Sequence, residues 1–228
     1  MTIEIYADGA TIENIDELEE NPLIFGYTTN PTLMRKSGVT NYESFAKEMI
    51  ERTNKPISFE VIGDTLEDIE REARIISNWG KNVFVKIPPM TTDGTETYFV
   101  AHKLARKEIK INFTCLFTYN QIEDAINASG VSDAILSVFA GRIMDTGIDA
   151  SPFISYAKNN VTDNIKVLWA STRETWNIKQ AEESGADIIT VPPNMIQKLP
   201  LWGKDLKEYS LETVCMFRDD AVASGYRI

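Results

Sequence analysis

The hydrophobic pattern along the chain alternates between two periods. Short runs rich in Ile, Val and Phe alternate apolar and polar residues, which is typical of strands whose successive side chains face opposite sides. Longer stretches between them repeat apolar residues every three or four positions, which is typical of amphipathic helices. The pattern predicts eight strands, at residues 3–7, 23–27, 57–62, 82–87, 110–117, 133–139, 165–170 and 187–191.

Several predicted helices begin at capping sequences. TNYE at 40–43 and TYNQ at 118–121 fit the capping box, in which Thr accepts a backbone hydrogen bond and Glu or Gln reaches back. GDTLE at 63–67 precedes a helix with apolar residues at helical spacing. Further amphipathic stretches are predicted near 95–107, 150–160, 174–184 and 205–222.

Eight strands, each followed by a helix or loop, describe an α/β protein built as a (β/α)8 TIM barrel. No linker, low-complexity tract or repeat divides the chain, so we expect one barrel domain over residues 1–228, with 205–222 as an additional C-terminal helix. The alternative is a doubly wound open sheet, but its usual GxGxxG turn is absent. In a barrel, the chemistry belongs at the C-terminal ends of the strands.

Net charge, apolar runs and Cys/His spacing exclude several classes of function. A formal net charge of -11 argues against a surface for nucleic acid or anionic membranes, although clustered arginines can still hold a small phosphate. No apolar run is long enough to span a membrane, and the N-terminus lacks the pattern of a signal peptide. Cys115, Cys215 and the lone His102 have no metal-site or CxxC spacing. We therefore expect a cytoplasmic protein whose partners are small molecules or copies of itself.

Polar residues stand at the C-terminal end of nearly every predicted strand. In strand order they are Asp8, then Thr28, Thr29 and Asn30, Glu60, Lys86, Asn112 and Thr114, Ser137 and Arg142, and finally Ser171 and Arg173. Strand alternation predicts that Lys86, Glu60 and Thr114 face the barrel axis within hydrogen-bonding reach of one another. The same alternation predicts that Cys115 faces the helices with the apolar set.

Each of these residues also has a purely structural explanation. A strand lysine is more often a snorkelling or edge residue, and Glu60 can be only its salt-bridge partner. Ser171 heads STRE, which itself fits a capping box, while Asp8 before Gly and Asn30 before Pro are ordinary turn chemistry. The two arginines can be solvated surface residues. These explanations do not predict that all of these side chains converge on one end of one barrel.

The chemistry of the set is specific when its members are taken together. A lysine in a dry pocket loses its proton more readily, and the free amine forms an imine with a ketone or aldehyde. One nearby carboxylate can move the protons that imine formation requires, and a second can take a proton from a substrate hydroxyl, which breaks the adjacent carbon–carbon bond. Arginines suit a phosphate group. The set predicts a class I aldol enzyme acting on a sugar phosphate.

Six motifs resemble the transaldolase family in order and in approximate spacing. They are GYTTNPTLM, SFEV, VFVKIP, INFTCLFT, SVFAGRIMD and WASTRE, and the resemblance covers essentially the whole chain. The length is similar to that of the short subfamily, which also contains the fructose-6-phosphate aldolases. The resemblance implies that Lys86 is the Schiff-base lysine and Asp8 the acid/base at the cleaved bond. It also implies that Glu60 and Thr114 form a water-bridged proton relay to the lysine.

The resemblance also implies how the substrate is held. Asn30 and Asn112 would hold the dihydroxyacetone hydroxyls, assisted by Ser137, and Thr29 and Phe139 would line the same site. The substrate phosphate would lie against Arg142, Ser171 and Arg173. No metal or organic cofactor is implied. In the short subfamily the C-terminal helix packs on a neighbouring subunit in pentamer-based assemblies, so we expect a homo-oligomer; a helix that closes its own barrel is the alternative.

Two positions bear on the reaction. Short aldolases of the family tend to carry Gln in place of Glu60 and Tyr in place of Phe139, and a phenyl ring cannot protonate and release the enamine. The residues therefore favour a transaldolase of the pentose phosphate pathway. It would transfer dihydroxyacetone from sedoheptulose 7-phosphate or fructose 6-phosphate to glyceraldehyde 3-phosphate or erythrose 4-phosphate. A fructose-6-phosphate aldolase and a non-catalytic sugar-phosphate-binding barrel are the alternatives.

Gly9 departs from the family, which usually has Thr or Ser there, and we expect it to loosen the loop at Asp8.

Overall fold

The computed structural model describes residues 3–9 and 11–228. Its sheet is a closed barrel of parallel strands in sequence order, and β1 pairs with β8 to complete the ring. The (β/α)8 fold predicted from the sequence is confirmed, and so are all eight predicted strands. They are β1 (Glu4–Asp8), β2 (Ile24–Thr28), β3 (Ile57–Glu60), β4 (Val83–Ile87), β5 (Ile111–Leu116), β6 (Ala134–Val138), β7 (Ile165–Trp169) and β8 (Ile188–Val191).

Helices surround the barrel on its outer side. They are α1 (Ile15–Glu20), α2 (Pro31–Lys36), α3 (Tyr42–Arg52), α4 (Leu66–Ser77), α5 (Tyr98–Ala105), α6 (Tyr119–Ser129), α7 (Ala140–Asp145), α8 (Ser151–Asn160), α9 (Asn177–Ser184) and α10 (Pro193–Ile196). Each of the longer helices buries its apolar stripe; α4, for example, buries Ile69, Ala73 and Ile76. The short helices α1, α2, α7 and α10 have too few turns to show a helical period, so the sequence pattern did not reveal them.

The helix caps agree with the sequence in some places and differ in others. The capping box of Thr118 and Gln121 is present at α6, and Thr65 caps α4. At α3 the predicted capping box is wrong, because the cap is Asn41 and not Thr40. The Asn41 side chain accepts a hydrogen bond of 2.9 Å from the Ser44 N–H, which leaves Tyr42 at the first helical position.

The chain divides into two compact units, Met1–Ile196 and Gln197–Ile228. The sequence analysis expected one domain with an additional helix. The second unit contains a short 3₁₀ turn at Leu199–Leu201 and the helix α11 (Leu206–Ala223), which was predicted at 205–222. All 18 residues of α11 are described and none is buried. Among the described residues, no helix is both long enough and apolar enough to cross a membrane.

The barrel interior changes in character along its axis. Part of the interior is filled by a buried apolar cluster consisting of Tyr6, Ile135, Leu168 and Ile188 on the strands and Ala170 directly after β7. One layer further along β1, β6 and β8, the inward-facing side chains are Asp8, Ser137 and Thr190. The apolar cluster therefore forms a floor, and polar chemistry begins directly above it.

Candidate active site

A buried lysine and a carboxylate form the centre of the polar layer. Lys86 on β4 is only 6% exposed, and β3 and β4 pair in a register that puts Glu60 beside it. The ammonium Nζ lies 3.2 Å from Oε2 of Glu60 and donates a 2.7 Å hydrogen bond to the carbonyl oxygen of Thr29. The amine and a proton acceptor are therefore held together out of bulk water, which is the arrangement that a buried charge requires.

Thr29 holds the lysine through its backbone. Its hydroxyl is buried and donates a 2.8 Å hydrogen bond to the carbonyl of Ser58 on β3, so it is turned away from the barrel axis. Its own carbonyl accepts from Lys86. In this structure Thr29, which the sequence analysis expected to bind substrate, orients the lysine.

The backbone of Glu60 is fixed by a residue that the sequence analysis missed. The hydroxyl of Tyr42 on α3 donates a 2.8 Å hydrogen bond to the Glu60 carbonyl and accepts a 2.7 Å one from the Glu60 N–H. The ring packs edge-on against Phe59 and Trp79. Burial raises the pKa of Tyr42, so its phenol stays neutral and keeps both roles. No strand-end pattern marks Tyr42, because it reaches the site from a helix.

The second carboxylate stands on the neighbouring side of the barrel. Asp8, at the end of β1, accepts a 2.9 Å hydrogen bond from the Thr28 hydroxyl. Burial raises the pKa of Asp8, and the Glu60 charge adds to that rise. The positive charge of Lys86 and hydrogen bonds from Thr28 and Asn30 act in the opposite direction. Asp8 is therefore a carboxylate poised to gain a proton within the field of the buried lysine.

Asn30 connects Asp8 to a helix start. Its side-chain oxygen accepts a 3.0 Å hydrogen bond from the Leu33 N–H and caps α2, which leaves the amide NH₂ to donate toward Asp8. Gly9 has a left-handed φ of 76°, its N–H donates to the Thr28 carbonyl at 2.9 Å, and a Cβ there would stand 2.7 Å from a Leu33 methyl. The left-handed φ and the nearby Leu33 methyl favour glycine in this turn, and the expectation that Gly9 loosens the loop stays a prediction.

A buried amide on β5 stands beside Lys86 in the β4–β5 register. Asn112 donates a 3.0 Å hydrogen bond to the Ser58 hydroxyl and accepts a 2.7 Å one from the Ser137 hydroxyl. All three side chains are at most 3% exposed. The amide is thus held in one orientation by β3 and β6. Strand alternation put Ser58 on the inner face, but the sequence analysis did not single it out as a site residue.

Strand β5 departs from regular alternation at its end. Its register with β6 shifts between Phe113 and Leu116, and Cys115 has a φ of 56°. The expectation that Cys115 faces the helices is wrong: its thiol is partly exposed, and Leu116 takes the buried outward position. Burial and then Glu60 raise the pKa of that thiol, against Lys86, which indicates that it lies in the field of the lysine pair. The Thr114 hydroxyl has its hydrogen bond with the Cys115 sulfur, at 4.0 Å, and none with Lys86 or Glu60.

Two exposed arginines follow β6 and β7. The Arg142 guanidinium lies 5.8 Å from the centre of the Phe139 ring, and that ring also packs 5.7 Å from Phe117. Arg173 is ion-paired with Asp145 on α7. The structure thus brings both arginines to the rim of the barrel, with Phe139 between the rim and the interior cluster.

Close backbone packing joins the two arginine loops. A Cβ on Gly141 would lie 1.7 Å from the Ser171 carbonyl oxygen, so only glycine permits this approach. Ser171 itself has a φ of 64°. The capping-box interpretation of STRE is wrong, because α9 begins at Asn177 and the Asn177 side chain accepts from the N–H groups of Arg173 and Glu174. Ser171 is left at a left-handed bend beside the arginines.

The fold and the site together define a class: a (β/α)8-barrel protein with a buried amine, two carboxylates and an arginine-bearing rim at the C-terminal ends of its strands. The family model described as Transaldolase/Fructose-6-phosphate aldolase matches residues 5–225. The chain belongs to this family, and it is a transaldolase-like enzyme.

Two relatives illustrate the similarity. The chain is 34% identical over 214 residues to "Probable transaldolase 2" of Listeria monocytogenes, covering 92% of this chain and 93% of that protein. It is 34% identical over 214 residues to "Probable transaldolase" of Bartonella henselae, covering 91% and 94%. The resemblance to the transaldolase family stated from the motifs is confirmed.

Solved structures of lower identity share the fold. Orotidine 5'-monophosphate decarboxylase from Metallosphaera sedula aligns with a TM-score of 0.55 at 14% identity, covering 87% of this chain and 92% of that one. Thiamine phosphate pyrophosphorylase from Pyrococcus furiosus aligns with a TM-score of 0.54 at 14% identity, covering 84% and 86%. At such identities the likeness concerns the barrel alone.

Proposed function

We propose that this chain is a transaldolase that works through a Schiff base on Lys86. It transfers a dihydroxyacetone unit from sedoheptulose 7-phosphate or fructose 6-phosphate to glyceraldehyde 3-phosphate or erythrose 4-phosphate, in the cytoplasmic pentose phosphate pathway. The observation that carries the proposal is the 3.2 Å pair of Lys86 and Glu60, buried beside Asp8 at the C-terminal ends of the strands. An amine, a proton acceptor and a second carboxylate at one point are what imine-forming aldol chemistry needs.

The first half of the reaction cleaves the donor. Glu60 accepts a proton from the Lys86 ammonium, and the free amine attacks the ketone carbon of the donor. Glu60 then returns a proton to the carbinolamine hydroxyl, which leaves as water and gives the protonated imine. The Asp8 carboxylate removes the proton from the hydroxyl beside the bond to be cleaved. The carbon–carbon bond breaks and the aldehyde departs. The electron pair of the broken bond moves into the imine to give an enamine.

The second half builds the product. The enamine carbon attacks the acceptor aldehyde, and protonated Asp8 returns its proton to the new alkoxide. Water then adds to the imine, and Glu60 assists proton transfer as the ketose leaves and the Lys86 amine is released. The protons that Glu60 and Asp8 accept are thus returned within each cycle, so the chemistry closes with no oxidant or cofactor.

Phe139 supports transfer over release. An aldolase must protonate the enamine and hydrolyse it before an acceptor arrives, and a phenyl ring offers no proton. Phe139 is half-buried beneath the Arg142 guanidinium, at the boundary of the interior cluster. Arg142, Ser171 and Arg173 would bind the phosphate, and Asn30 and Asn112 the hydroxyls of the three-carbon unit.

The test is covalent trapping. The protein is reduced with borohydride in the presence of fructose 6-phosphate, and the adduct is located by intact-mass spectrometry and peptide mapping. We expect a dihydroxyacetone-sized adduct on Lys86. An intact, substrate-binding protein that forms no adduct would instead be the non-catalytic sugar-phosphate binder.

A matched lysine controls the trapping experiment. Lys166 also lies on a barrel strand and pairs with a carboxylate, Glu4, at 2.7 Å, but its side chain is 47% exposed. Lys86→Met should abolish both the adduct and turnover, whereas Lys166→Met should retain both. An adduct that persists in Lys86→Met would refute the assignment of the lysine.

The aldolase alternative is separated by leaving out the acceptor. A transaldolase releases little dihydroxyacetone from fructose 6-phosphate until an aldose phosphate is added, whereas an aldolase releases it without one. Phe139→Tyr should increase acceptor-free release, because its phenol can protonate the enamine. Rapid release by the unmodified chain would identify it as the aldolase.

We also propose that the protein is a homo-oligomer assembled through α11. This helix leaves large apolar side chains exposed along its length, including Leu206, Leu211, Val214 and Phe217. Exposed apolar patches often mark protein–protein interfaces, so a neighbouring subunit is a natural partner for these side chains. Sedimentation equilibrium should give several subunits, and Leu211→Glu with Phe217→Glu should lower the mass. Fully monomeric behaviour of the unmodified chain would contradict this proposal.

A further inference from the structure

Thr190 on β8 makes a buried contact and has no role in the reaction steps proposed above. Its hydroxyl lies 2.5 Å from the hydroxyl of Thr28 on β2, and each of the two residues is 4% exposed. The main chain of Thr190 is fixed on both sides. It pairs opposite Tyr6 in the β1–β8 ladder, and its carbonyl accepts a 2.6 Å hydrogen bond from the Thr172 hydroxyl. The Thr190 hydroxyl is therefore held at a defined place in the polar layer.

The direction of the hydrogen bonds follows from counting protons. The Thr28 hydroxyl also lies 2.9 Å from Oδ1 of Asp8 and donates to it. A hydroxyl has one proton, and an ionised carboxylate can only accept. While Asp8 is ionised, the single proton of the Thr28 hydroxyl is donated to Asp8. In the short contact, Thr190 is therefore the donor and Thr28 the acceptor. The three groups form a directed chain from β8 through β2 to the carboxylate.

We propose that Thr190 is a positioning residue that orients the Asp8 carboxylate and favours its ionised form through Thr28. The proposal rests on the acid/base role proposed for Asp8. Hydrogen bonds in series polarise one another, so a proton donated by Thr190 makes the Thr28 hydroxyl a stronger donor to Asp8. Asn30 donates from another direction, and the carboxylate is thereby held between a hydroxyl chain and an amide.

The proposed chemistry explains why this chain of hydroxyl groups would be useful. Burial raises the pKa of Asp8, but a base that removes a substrate proton must be ionised when the substrate arrives. Lys86 opposes that rise while its nitrogen is charged, as the ammonium or as the protonated imine, and that positive charge is lost while it is the free amine. The hydroxyl chain is neutral and persists at every step. It keeps Asp8 oriented at the point where the lysine's charge is absent.

The experiment compares Thr190→Val, which removes the hydroxyl at nearly constant shape, with Thr190→Ser, which keeps it. The primary measurement is the pKa of Asp8 by NMR titration of ¹³C-labelled carboxyl groups, assigned with Asp8→Asn. We expect Thr190→Val to raise this pKa by roughly half to one pH unit and Thr190→Ser to restore it. The acid limb of kcat/KM for transfer should move by the same amount.

A double-mutant cycle tests whether Thr190 acts through Thr28. Thr28→Val should raise the pKa of Asp8 at least as far as Thr190→Val does. The double variant should match Thr28→Val alone, because the chain is already cut. Fully additive shifts would overturn the proposal, and so would an Asp8 pKa unchanged in Thr190→Val or a Thr190→Ser variant that behaves like valine.

A matched threonine at the other end of the barrel controls for lost packing. Thr53 is also 4% exposed and donates a 2.8 Å hydrogen bond to a carboxylate, Glu19, just before β3. Thr53→Val should cost comparable stability without moving the pKa of Asp8. Because the NMR titration needs no turnover, it tests the role of Thr190 separately from the proposed transaldolase function. A shifted Asp8 pKa without imine trapping on Lys86 supports the hydroxyl chain and refutes the transaldolase, whereas trapping with an unshifted pKa does the reverse.

Discussion

The two sides of the barrel mouth are built on different principles. The lysine side, formed by Lys86, Glu60, Asp8 and Asn112, stands on strands, and its polar groups are largely saturated by hydrogen bonds within the protein. The arginine side, formed by Arg142, Ser171 and Arg173, stands in the segments after β6 and β7. Both arginines there are exposed to solvent.

The difference matches the role proposed for each side. Proton transfer and imine formation require fixed geometry and little water, which strands and buried hydrogen bonds provide. A phosphate arrives hydrated and needs only charge and donors at the rim, so exposed arginines are adequate. Substitutions on the lysine side should therefore change the chemical step, and those on the arginine side should change substrate affinity.

The largest effect is expected for Asp8→Asn. An amide cannot accept the substrate proton, so turnover should fall by roughly 10²- to 10⁴-fold, while imine trapping on Lys86 persists. Turnover of the unmodified chain should fall as pH drops through the pKa of Asp8, which lies above its ordinary 3.8. Equal loss of trapping and turnover would contradict separate roles for the two residues.

The same substitution should stabilise the fold near neutral pH. Because its pKa is raised in the folded state, folded Asp8 binds a proton more readily than unfolded Asp8, whose pKa stays near 3.8. Stability conferred by this group is therefore present below pH 3.8 and is lost as pH rises through the folded pKa. Asp8→Asn removes that loss, so urea unfolding at pH 7 should require more denaturant than for the unmodified chain. A variant less stable at pH 7 would contradict the direction of the shift.

An intermediate effect, confined to affinity, is expected for Arg173→Gln. Loss of a charge-assisted contact should raise the KM for phosphorylated donors about 10- to 100-fold with kcat nearly unchanged. Unphosphorylated fructose provides the control, since its KM should not change. A fall in kcat of the same size would mean that the arginine side takes part in the chemical step.

A comparable or smaller effect, on stability, is expected for Tyr42→Phe. The substitution leaves the Glu60 N–H and carbonyl without their partner, which should cost about 1–3 kcal/mol in the free energy of unfolding. Tyr98→Phe is the control, because the Tyr98 hydroxyl makes a single 3.4 Å hydrogen bond to Gln121. Chemical denaturation should separate the two variants, and equal losses would show that Tyr42 acts only by packing.

The smallest effect is expected for Asp145→Asn. This exposed carboxylate pairs with Arg173 and would compete with the substrate phosphate that Arg173 is proposed to bind. Exposed ion pairs contribute little, so removing the competitor should lower the KM for sugar phosphates by no more than about fivefold. Competition by inorganic phosphate gives the same comparison without turnover, and weaker phosphate inhibition in the variant would contradict it.

Sequence reasoning predicted the lysine side well because strands impose a period of two. That period predicted Lys86, Glu60 and Thr114 within hydrogen-bonding reach of one another. The structure places Glu60 beside Lys86, whereas the Thr114 hydroxyl has its hydrogen bond with the Cys115 sulfur. Sequence reasoning failed at Cys115, where a register shift breaks the alternation that the prediction assumed. It could not identify Tyr42 or Thr190 as partners, because a contact between a helix and a strand, or between β8 and β2, leaves no local pattern.

The arginine side was less predictable for a related reason. STRE fits a capping box, yet the helix begins at Asn177, because backbone contact between Gly141 and Ser171 shapes the bend before it. Local propensity gives way there to tertiary packing. The Gly9 turn is similar, since neither its left-handed φ nor its closeness to Leu33 has a local sequence pattern.

The apolar floor of the barrel has a consequence for steady-state kinetics. Tyr6, Ile135, Leu168, Ala170 and Ile188 fill the interior beneath the site, so a small molecule must enter and leave by one opening. For the proposed transfer, the first aldehyde has to depart before the second can approach the enamine. Double-reciprocal plots at several donor concentrations should therefore run parallel, as in a ping-pong mechanism, and each aldehyde should inhibit at high concentration by occupying the other's place.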